Sequence, residues 1–295
     1  MSAFHIWLMA ARPRTLPAAV APVLVGTSLA ATEDTFKWLT FVAAMVGAMF
    51  IQIGTNLSND YSDARRGADA EDRLGPVRVT AGGLVPPRHV LVATYVAFGM
   101  AVVAGAYLIA TAGWELLLVG AASILAGVLY TGGPRPYGYE GLGEVFVFLF
   151  FGVVAVTGSY FAQVERVTWE ALVLAVPVGL LATAILVVNN VRDLETDRRA
   201  GKRTLAVRLG RRRVRALYAA IVYGAFVTAP VPWIAGSESA SPWLLLPLVA
   251  VPFAAPIVRT VRNRTDGPSL NGALARTGLL QLTFCVLLSA GILLS

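Results

Sequence analysis

Residues 54–63 read Gly-Thr-Asn-Leu-Ser-Asn-Asp-Tyr-Ser-Asp, and this stretch organises the rest of the sequence. It closes a long apolar run and places Asn56, Asp60 and Asp63 at intervals of four and three residues. Side chains at those intervals are neighbours on one side of an α-helix. The stretch therefore predicts a helix that is apolar for most of its length and carries a polar, acidic stripe at its end.

A second stretch repeats this design. Residues 189–197, Asn-Asn-Val-Arg-Asp-Leu-Glu-Thr-Asp, close another apolar run, with Asn189, Asp193 and Asp197 on one helical face. The two stretches align at an offset of 133 residues, which pairs Asn56 with Asn189 and Asp60 with Asp193. The alignment predicts a weak internal repeat, whose second helices would cover residues 36–63 and 171–197.

The composition predicts a lipid environment. Of 295 residues, 57% are hydrophobic and 14% are charged, with a mean hydropathy of +0.69, whereas soluble domains carry about 25% charged residues. No cleavable leader is expected, and residues 1–295 are interpreted as one all-α integral membrane domain. Nine apolar segments predict nine transmembrane helices: Thr15–Ala31, Phe36–Thr55, Val90–Ala110, Trp114–Tyr130, Val145–Ala162, Ala171–Val188, Ala216–Ile234, Trp243–Val258 and Ala273–Leu294.

The basic residues behind the net charge of +7 lie mostly on alternate connections between the apolar segments. If the connections are assigned alternately to two sides, one side holds 22 of the 24 lysine and arginine residues, and the other holds only Lys37 and Arg166. The positive-inside rule then predicts a cytoplasmic N-terminus, an external C-terminus and a functional face in the cytoplasm. This basic charge accordingly does not indicate nucleic-acid binding. The single cysteine, Cys285, is expected to serve in packing.

The acidic stripes predict a cation site. Carboxylates one helical turn apart repel each other, and near a membrane they are poorly solvated. Mg²⁺ suits such a site because it takes oxygen ligands and is commonly bound by one or two carboxylates together with substrate phosphates. The alternative is that the acids only form ion pairs with Arg65, Arg66, Arg192 and Arg198 at the membrane surface.

Three loops on the same side supply candidate substrate-binding residues. Arg73 and Arg78 lie between the second and third segments and could bind a phosphate or a carboxylate through paired hydrogen bonds. After the fourth segment, Arg135 could reach a diphosphate, whereas Tyr130 could either bind substrate or anchor a helix at the interface. Lys202 follows Asp197 closely, so its ammonium is placed to hold phosphate oxygens.

These motifs resemble the UbiA superfamily of intramembrane aromatic prenyltransferases. The resemblance rests on residues 12–18, 52–63, 73–80 and 193–205, and it extends to about Gly210. It implies a nine-helix bundle around a central cavity capped by cytoplasmic loops. It further implies Mg²⁺ bound by Asn56, Asp60, Asp63, Asp193 and Asp197, of which Asn56, Asp60 and Asp193 form the expected catalytic set, and diphosphate bound by Lys202, Arg135, Arg65 and Arg198.

Two departures from the superfamily pattern stand out. Many members carry another acid four residues beyond the position of Asp63, where this chain has Gly67, so Asp69 could replace it or the site could have fewer ligands. A lysine that several relatives place shortly after the tyrosine of the fourth span is also missing, and the nearest cation is Arg135.

The resemblance implies transfer of a polyprenyl group from its diphosphate to an aromatic acceptor. The similarity is strongest to the branch that uses 1,4-dihydroxy-2-naphthoate, with Arg73, Arg78 and Tyr130 as expected acceptor-binding residues; a 4-hydroxybenzoate acceptor is the nearest alternative. Two other classes stay open at this point, a CDP-alcohol phosphotransferase and a transporter. In CDP-alcohol phosphotransferases the aspartates usually lie in one continuous segment, whereas here they lie in two. Transport sites tend to lie near the bilayer midplane, whereas here the charges lie at the ends of the apolar segments.

Overall fold

The long apolar runs form helices throughout. A computed structural model of the chain describes residues 2–67 and 74–295. Its helices are α1 (Ala3–Ala11), α2 (Pro17–Ala31), α3 (Trp38–Arg65), α4 (Pro87–Ala112), α5 (Glu115–Leu129), α6 (Gly143–Val147), α7 (Ala155–Val164), α8 (Trp169–Arg199), α9 (Leu205–Thr228), α10 (Val231–Ile234), α11 (Val251–Asn263) and α12 (Gly267–Leu293). A π-helical segment (Phe148–Val154) joins α6 to α7, and a 3₁₀ segment (Pro242–Ala250) precedes α11.

Six of the described helical stretches are long and apolar enough to cross a membrane: α3, α4, Gly143–Val164, α8, Pro242–Asn263 and α12. The bent pair Ala3–Thr15 and Pro17–Ala31, which meets at 52°, would make a seventh. The exterior of α4 is apolar and exposed, as lipid contact requires. The chain is therefore an integral membrane protein.

The nine predicted segments are all helical, but length and composition support six or seven spans rather than nine. α5 is a shorter apolar helix. α9 carries five of the chain's arginines between Arg208 and Arg215, so its first half is too polar to lie in lipid. The count of nine spans stays a prediction.

The two most extensive hydrophobic cores of the bundle differ in size, and a third, small cluster joins α4, α5 and α7. The large core joins α2, α7, α8, α9, α11 and α12, and it includes the buried Cys285 as expected. The smaller core joins α1, α3 and α4 beneath the segment that carries Val79 and Val85. Close helix contact depends on Gly152 of the π-helical segment, because a Cβ there would lie 2.5 Å from Cα of Gly179 in α8. The cavity lies between these two cores.

Candidate active site

A cavity of about 740 Å³ lies among α2, α3, α4, α5, α7 and α8. Its wall has two chemically different parts. Carboxylates, amides, tyrosines and cations come from the C-terminal ends of α3 and α8 and from the adjoining loops, whereas the remainder is lined by small aliphatic residues and by Phe146, Phe150 and Phe151. Such a cavity can hold a charged head group and a long apolar tail at once.

Polar residues of α3 line this cavity, but they differ in part from the predicted set of Asn56, Asp60 and Asp63. The residues that line the cavity are Gln52, Asn56, Asn59 and Asp63. Asn56 donates hydrogen bonds through Nδ2 to the Ala11 carbonyl at 3.0 Å and to Oγ1 of Thr15 at 3.3 Å. Asn59 was not predicted, and its Oδ1 accepts a hydrogen bond from Thr131 at 2.9 Å.

Asp60 is not among the residues that line the cavity, so its predicted position opposite Asp193 across a diphosphate stays a prediction. At 3.6 residues per turn, Asp60 lies about 60° around the helix from Asp63 and about 100° from Asn59. Its two carboxylate oxygens accept backbone N–H groups of Val79 and Thr80 at 3.1 and 2.9 Å. Asp60 therefore anchors the segment that carries Arg78.

Asp63 is the centre of a buried polar cluster. Its Oδ2 lies 2.7 Å from Arg78 and 3.4 Å from Nζ of Lys202, and its Oδ1 accepts the Tyr139 hydroxyl at 2.5 Å. The side chain of Asp63 is 1% exposed, and those of Arg78 and Lys202 are each 9% exposed. Two cations thus converge on one carboxylate, which leaves positive charge at the cavity wall for an anionic ligand.

Residues of α8 complete the polar end. Asn189, Asn190, Asp193 and Asp197 all line the cavity. Both oxygens of Asp193 accept hydrogen bonds from the neighbouring Arg192, at 2.8 and 2.6 Å. The buried Arg192 is in turn held by Asn189 at 2.7 Å and by Asn271 of α12 at 2.8 Å. The cavity-lining pairs Asn59–Asp63 and Asn189–Asp193 align at an offset of 130 residues, beside the predicted pairing of Asn56 with Asn189 at 133.

A glycine turn returns Lys202 to the cavity. The helix α8 ends at Arg199, and Gly201 adopts a left-handed conformation with φ of 72°. The backbone N–H of Lys202 then donates to the Asp197 carbonyl at 2.9 Å, as in helix ends closed by a left-handed residue. This turn places the ammonium beside Asp63 and 4.7 Å from the centre of the Tyr139 ring.

Three predicted diphosphate ligands lie outside the cavity. Arg65 is exposed and contacts Tyr61, Arg198 is exposed and pairs with Glu195, and Arg135 is exposed on its loop. Arg73 and Asp69 lie outside the described residues. At Gly67 the backbone has φ of 64°, so the helix has ended and an acid there would not continue the stripe.

Tyr130 lines the cavity, and two glycines make room for its ring. A Cβ at Gly138 or Gly143 would lie 3.0 or 3.2 Å from Cε2 of Tyr130. Tyr137 contacts Tyr130 edge to face at 5.5 Å and stacks on Phe146 at 4.0 Å. Burial, and next the charge of Asp63, raise the pKa of Tyr139. Tyr139 therefore keeps its proton and acts as a hydrogen-bond donor.

The apolar wall of the cavity is most exposed at α4 and α5. Val102 of α4 and Leu117, Ala121 and Leu125 of α5 line the cavity and are exposed. This side of the cavity is therefore the candidate opening for an apolar chain.

The donor set suits a hard divalent cation. Asp63, Asp193 and Asp197 supply carboxylates, and the neighbouring asparagines supply amide oxygens, which are the ligands of Mg²⁺. Within residues 2–67 and 74–295, no three acidic, histidine or cysteine side chains converge on one point. An ion bound here would thus depend on substrate phosphate oxygens, as Mg²⁺ commonly does.

Sequence reasoning missed several cavity residues, among them Asn190, Tyr139, Asn59 and Arg12. Asn59 has a detectable signal, because Asn59 and Asp63 stand four apart, as Asn189 and Asp193 do. Arg12 also lines the cavity, with left-handed backbone at the end of α1. No spacing rule marks Arg12, since only the bend between α1 and α2 brings it there.

The fold and the two polar helix ends define a class of protein. The model of the UbiA prenyltransferase family matches residues 19–291, and the chain belongs to this family. It is 44% identical to the 1,4-dihydroxy-2-naphthoate octaprenyltransferase of Mycobacterium leprae (strain TN), over 100% of this chain and 98% of that protein. The protein of the same name from Escherichia coli (strain K12) is 36% identical, over 100% and 97% of the two chains.

A solved structure shares the fold. A UbiA homolog from Archaeoglobus fulgidus, bound to GPP and Mg²⁺, superposes with a TM-score of 0.72 at 15% identity, over 98% of this chain and 100% of that one. Because the matched proteins are prenyltransferases, the CDP-alcohol phosphotransferase and transporter alternatives are set aside.

Proposed function

We propose that this protein transfers a polyprenyl group from polyprenyl diphosphate to 1,4-dihydroxy-2-naphthoate, releasing diphosphate and CO₂ and giving demethylmenaquinol. The observation that carries the proposal is the cavity itself, which joins a cation-rich, acid-rich head to an apolar chamber. Full-length similarity to naphthoate prenyltransferases supports the choice of acceptor.

The head of the cavity would bind the diphosphate together with Mg²⁺. Asp63, Asp193 and Asp197 would hold the metal, assisted by asparagine oxygens, and Lys202 and Arg78 would bind diphosphate oxygens. Bound Mg²⁺ supplies charge neutralisation, which makes diphosphate a better leaving group. Asn56 and Asp60 support this site from behind, Asn56 by tying α3 to residues 11–15 and Asp60 by anchoring the segment of Arg78.

The remaining wall would control the reaction itself. As the bond between the prenyl carbon and the diphosphate oxygen breaks, positive charge develops on the allylic group, and the electron-rich naphthoate ring attacks it. The faces of Tyr130, Tyr137 and Phe146 would exclude water and stabilise this cation. The ring carboxylate then leaves as CO₂, which restores aromaticity. Arg73 and Arg78 were predicted to bind the acceptor; because Arg78 is assigned to the diphosphate here, Arg73 is the remaining candidate for binding that carboxylate.

The same proposal includes the membrane placement. Nine crossings, with the N-terminus and the active site on the cytoplasmic side, agree with the concentration of lysine and arginine on alternate connections. The three ends that form the head, those of α3, α5 and α8, lie together at the rim of the cavity. The prenyl tail would leave on the side of the cavity formed by α4 and α5.

A competition assay tests the acceptor. Purified protein is offered 1,4-dihydroxy-2-naphthoate and 4-hydroxybenzoate together, with Mg²⁺ and a labelled prenyl diphosphate. We expect the naphthoate product to dominate, with one CO₂ and one diphosphate released per transfer. Predominant prenylation of 4-hydroxybenzoate would reassign the acceptor, and diphosphate release without any prenylated product would overturn the transferase.

A further inference from the structure

A buried carboxylate beside the cavity has no role in the reaction described so far. Glu144 lies in the first turn of α6 and is 5% exposed. Its Oε1 accepts a hydrogen bond from Nδ2 of Asn190 at 2.9 Å. Its Oε2 is buried and has no hydrogen-bond partner among the described residues. Burying an incompletely paired carboxylate is unfavourable, so this arrangement calls for an explanation.

The contact fixes the orientation of the Asn190 amide. Because Oε1 of Glu144 is the acceptor of this hydrogen bond, the NH₂ end of Asn190 faces Glu144. Asn190 also lines the cavity, and it lies three and seven residues before Asp193 and Asp197, on the same side of α8. With its NH₂ end turned away, the end of the amide left for the cavity is the carbonyl oxygen.

We propose that Glu144 is a positioning residue that makes Asn190 an oxygen ligand rather than an N–H donor at the cavity wall. With the amide reversed, Asn190 would present hydrogens to a cation bound by Asp193 and Asp197. With Asn190 held in this orientation, this part of the cavity wall would bind the metal, and Lys202 and Arg78 would bind the diphosphate. The inference rests on the proposed function, because it assumes a divalent cation in the head of the cavity.

Metal binding to the purified full-length protein tests this role without turnover. Mn²⁺ replaces Mg²⁺ as an EPR-visible probe, in the presence of inorganic diphosphate. We expect Glu144→Leu to weaken Mn²⁺ binding about tenfold or more, which is the usual effect of losing a residue that orients a ligand. Glu170→Leu is the matched control, since Glu170 lies on α8 and accepts a hydrogen bond from Ser237 far along the helix. It should bind Mn²⁺ as the wild type does.

An exchange of partners separates positioning from folding. In Asn190→Asp alone, the new carboxylate faces the carboxylate of Glu144. The two groups cannot donate a hydrogen bond to each other, so this variant should also bind Mn²⁺ more weakly. In the double variant Glu144→Gln/Asn190→Asp, the new glutamine donates to the new aspartate, so an oxygen again faces the cavity. We expect the double variant to recover Mn²⁺ affinity to within about threefold of the wild type, by double-mutant-cycle logic.

The outcomes discriminate between the two proposals. Wild-type protein that binds no Mn²⁺ would overturn the proposed metal site and this inference with it. Wild-type binding that is unchanged in Glu144→Leu would overturn only the role of Glu144. If Glu144→Leu also melts at a lower temperature, the double variant Glu144→Gln/Asn190→Asp decides between the two explanations. A double variant that recovers the melting temperature but not the Mn²⁺ affinity would contradict the positioning role.

Discussion

The Nζ atom of Lys202 lies 3.4 Å from Oδ2 of Asp63, across 139 residues of sequence. This contact joins the end of α8 to the end of α3 over the head of the cavity. Together with Arg78, it gives Asp63 two cationic partners in a buried setting. One of these cations can turn to an anionic substrate while the other continues to neutralise Asp63, and this property underlies the first prediction.

Replacing Lys202 should impair binding of the prenyl diphosphate. We expect Lys202→Met to raise the KM for the donor by roughly 10–100-fold, because a charge-assisted contact worth about 1.5–3 kcal/mol is lost. The matched control is Arg198→Met, which removes an exposed cation paired with Glu195 on the same helix end. Steady-state kinetics with varied donor should show a near-normal KM for the control; equal impairment of both variants would contradict the assignment.

Asp60 should act on the loop and not on the metal. Asp60→Ala removes the acceptor for two backbone N–H groups, which destabilises the protein by about 1–3 kcal/mol. The segment around Val79 should then be cleaved faster in limited proteolysis. The Mn²⁺ affinity should change less than in Asp63→Asn. A selective loss of metal binding in Asp60→Ala, with normal protease resistance, would restore Asp60 to the metal site.

The acids of α8 should set the metal requirement. Asp197→Asn keeps the shape of the side chain and removes one charge, so we expect the Mg²⁺ concentration for half-maximal activity to rise about tenfold or more. Chelation with EDTA should abolish turnover, and Mg²⁺ should restore it. Glu195→Gln, which alters an exposed acid on the same helix, is the control. Activity that survives complete chelation would contradict the metal site.

Tyr139 should remain protonated at every pH at which the protein is assayed. Burial raises the pKa of Tyr139 above the ordinary value of 10.0, so the folded state holds this proton more tightly than the unfolded state. Its contribution to stability is therefore complete below about pH 10 and is lost as the pH rises through the folded-state pKa.

We accordingly expect no step in the pH–rate profile from Tyr139 at neutral or mildly alkaline pH. Tyr139→Phe should destabilise the protein by about 1.5–3 kcal/mol, because a hydrogen bond to the Asp63 carboxylate is lost, and should leave the shape of the profile unchanged. Melting curves and rate profiles of the two proteins between pH 6 and about 10 check both statements. An alkaline limb that disappears in Tyr139→Phe would show that the phenol titrates.

Filling the apolar chamber should restrict the donor chain. Gly105 of α4 lines the cavity, and a Cβ built on it meets no atom within 4 Å. Gly105→Phe should therefore fold and lower turnover with long polyprenyl diphosphates roughly tenfold, while geranyl diphosphate is still used. Gly99→Phe is the matched control, since Gly99 is exposed on the same helix and also has open space around it. Equal loss with both donors in Gly105→Phe would contradict a chain-binding chamber.

Much of the fold could be predicted because its signals are local. Apolar runs, prolines and charged connections identified the helices, and every predicted segment is helical. The polar ends of α3 and α8 could be predicted because residues four apart in sequence lie on the same face of a helix. Asp63, Asp193 and Asp197 were predicted from such spacings and Lys202 from its place just after Asp197, and all of them line the cavity.

The remaining site assignments depended on information that is not local. The stripe of α3 carries more polar residues than one face can hold, so the sequence could not decide between Asp60 and Asn59. The exposed Arg65 and Arg198 lie nearer to the motifs in sequence than Arg78 does, yet it is Arg78 that is folded back onto Asp63. That difference comes from the anchoring of residues 79–80 by Asp60.

The sequence by itself determined a helical membrane protein with two acidic helix ends, because hydropathy and helical period are read along the chain. The tertiary structure alone decided which polar groups meet. The orientation of α3 about its axis places Asn59 and Asp63 in the cavity wall. The turn at Gly201 places Lys202 at the same wall, and the bend after α1 places Arg12 there. Those outcomes are set by packing between distant segments, and packing is a property of the assembled bundle rather than of any one stretch.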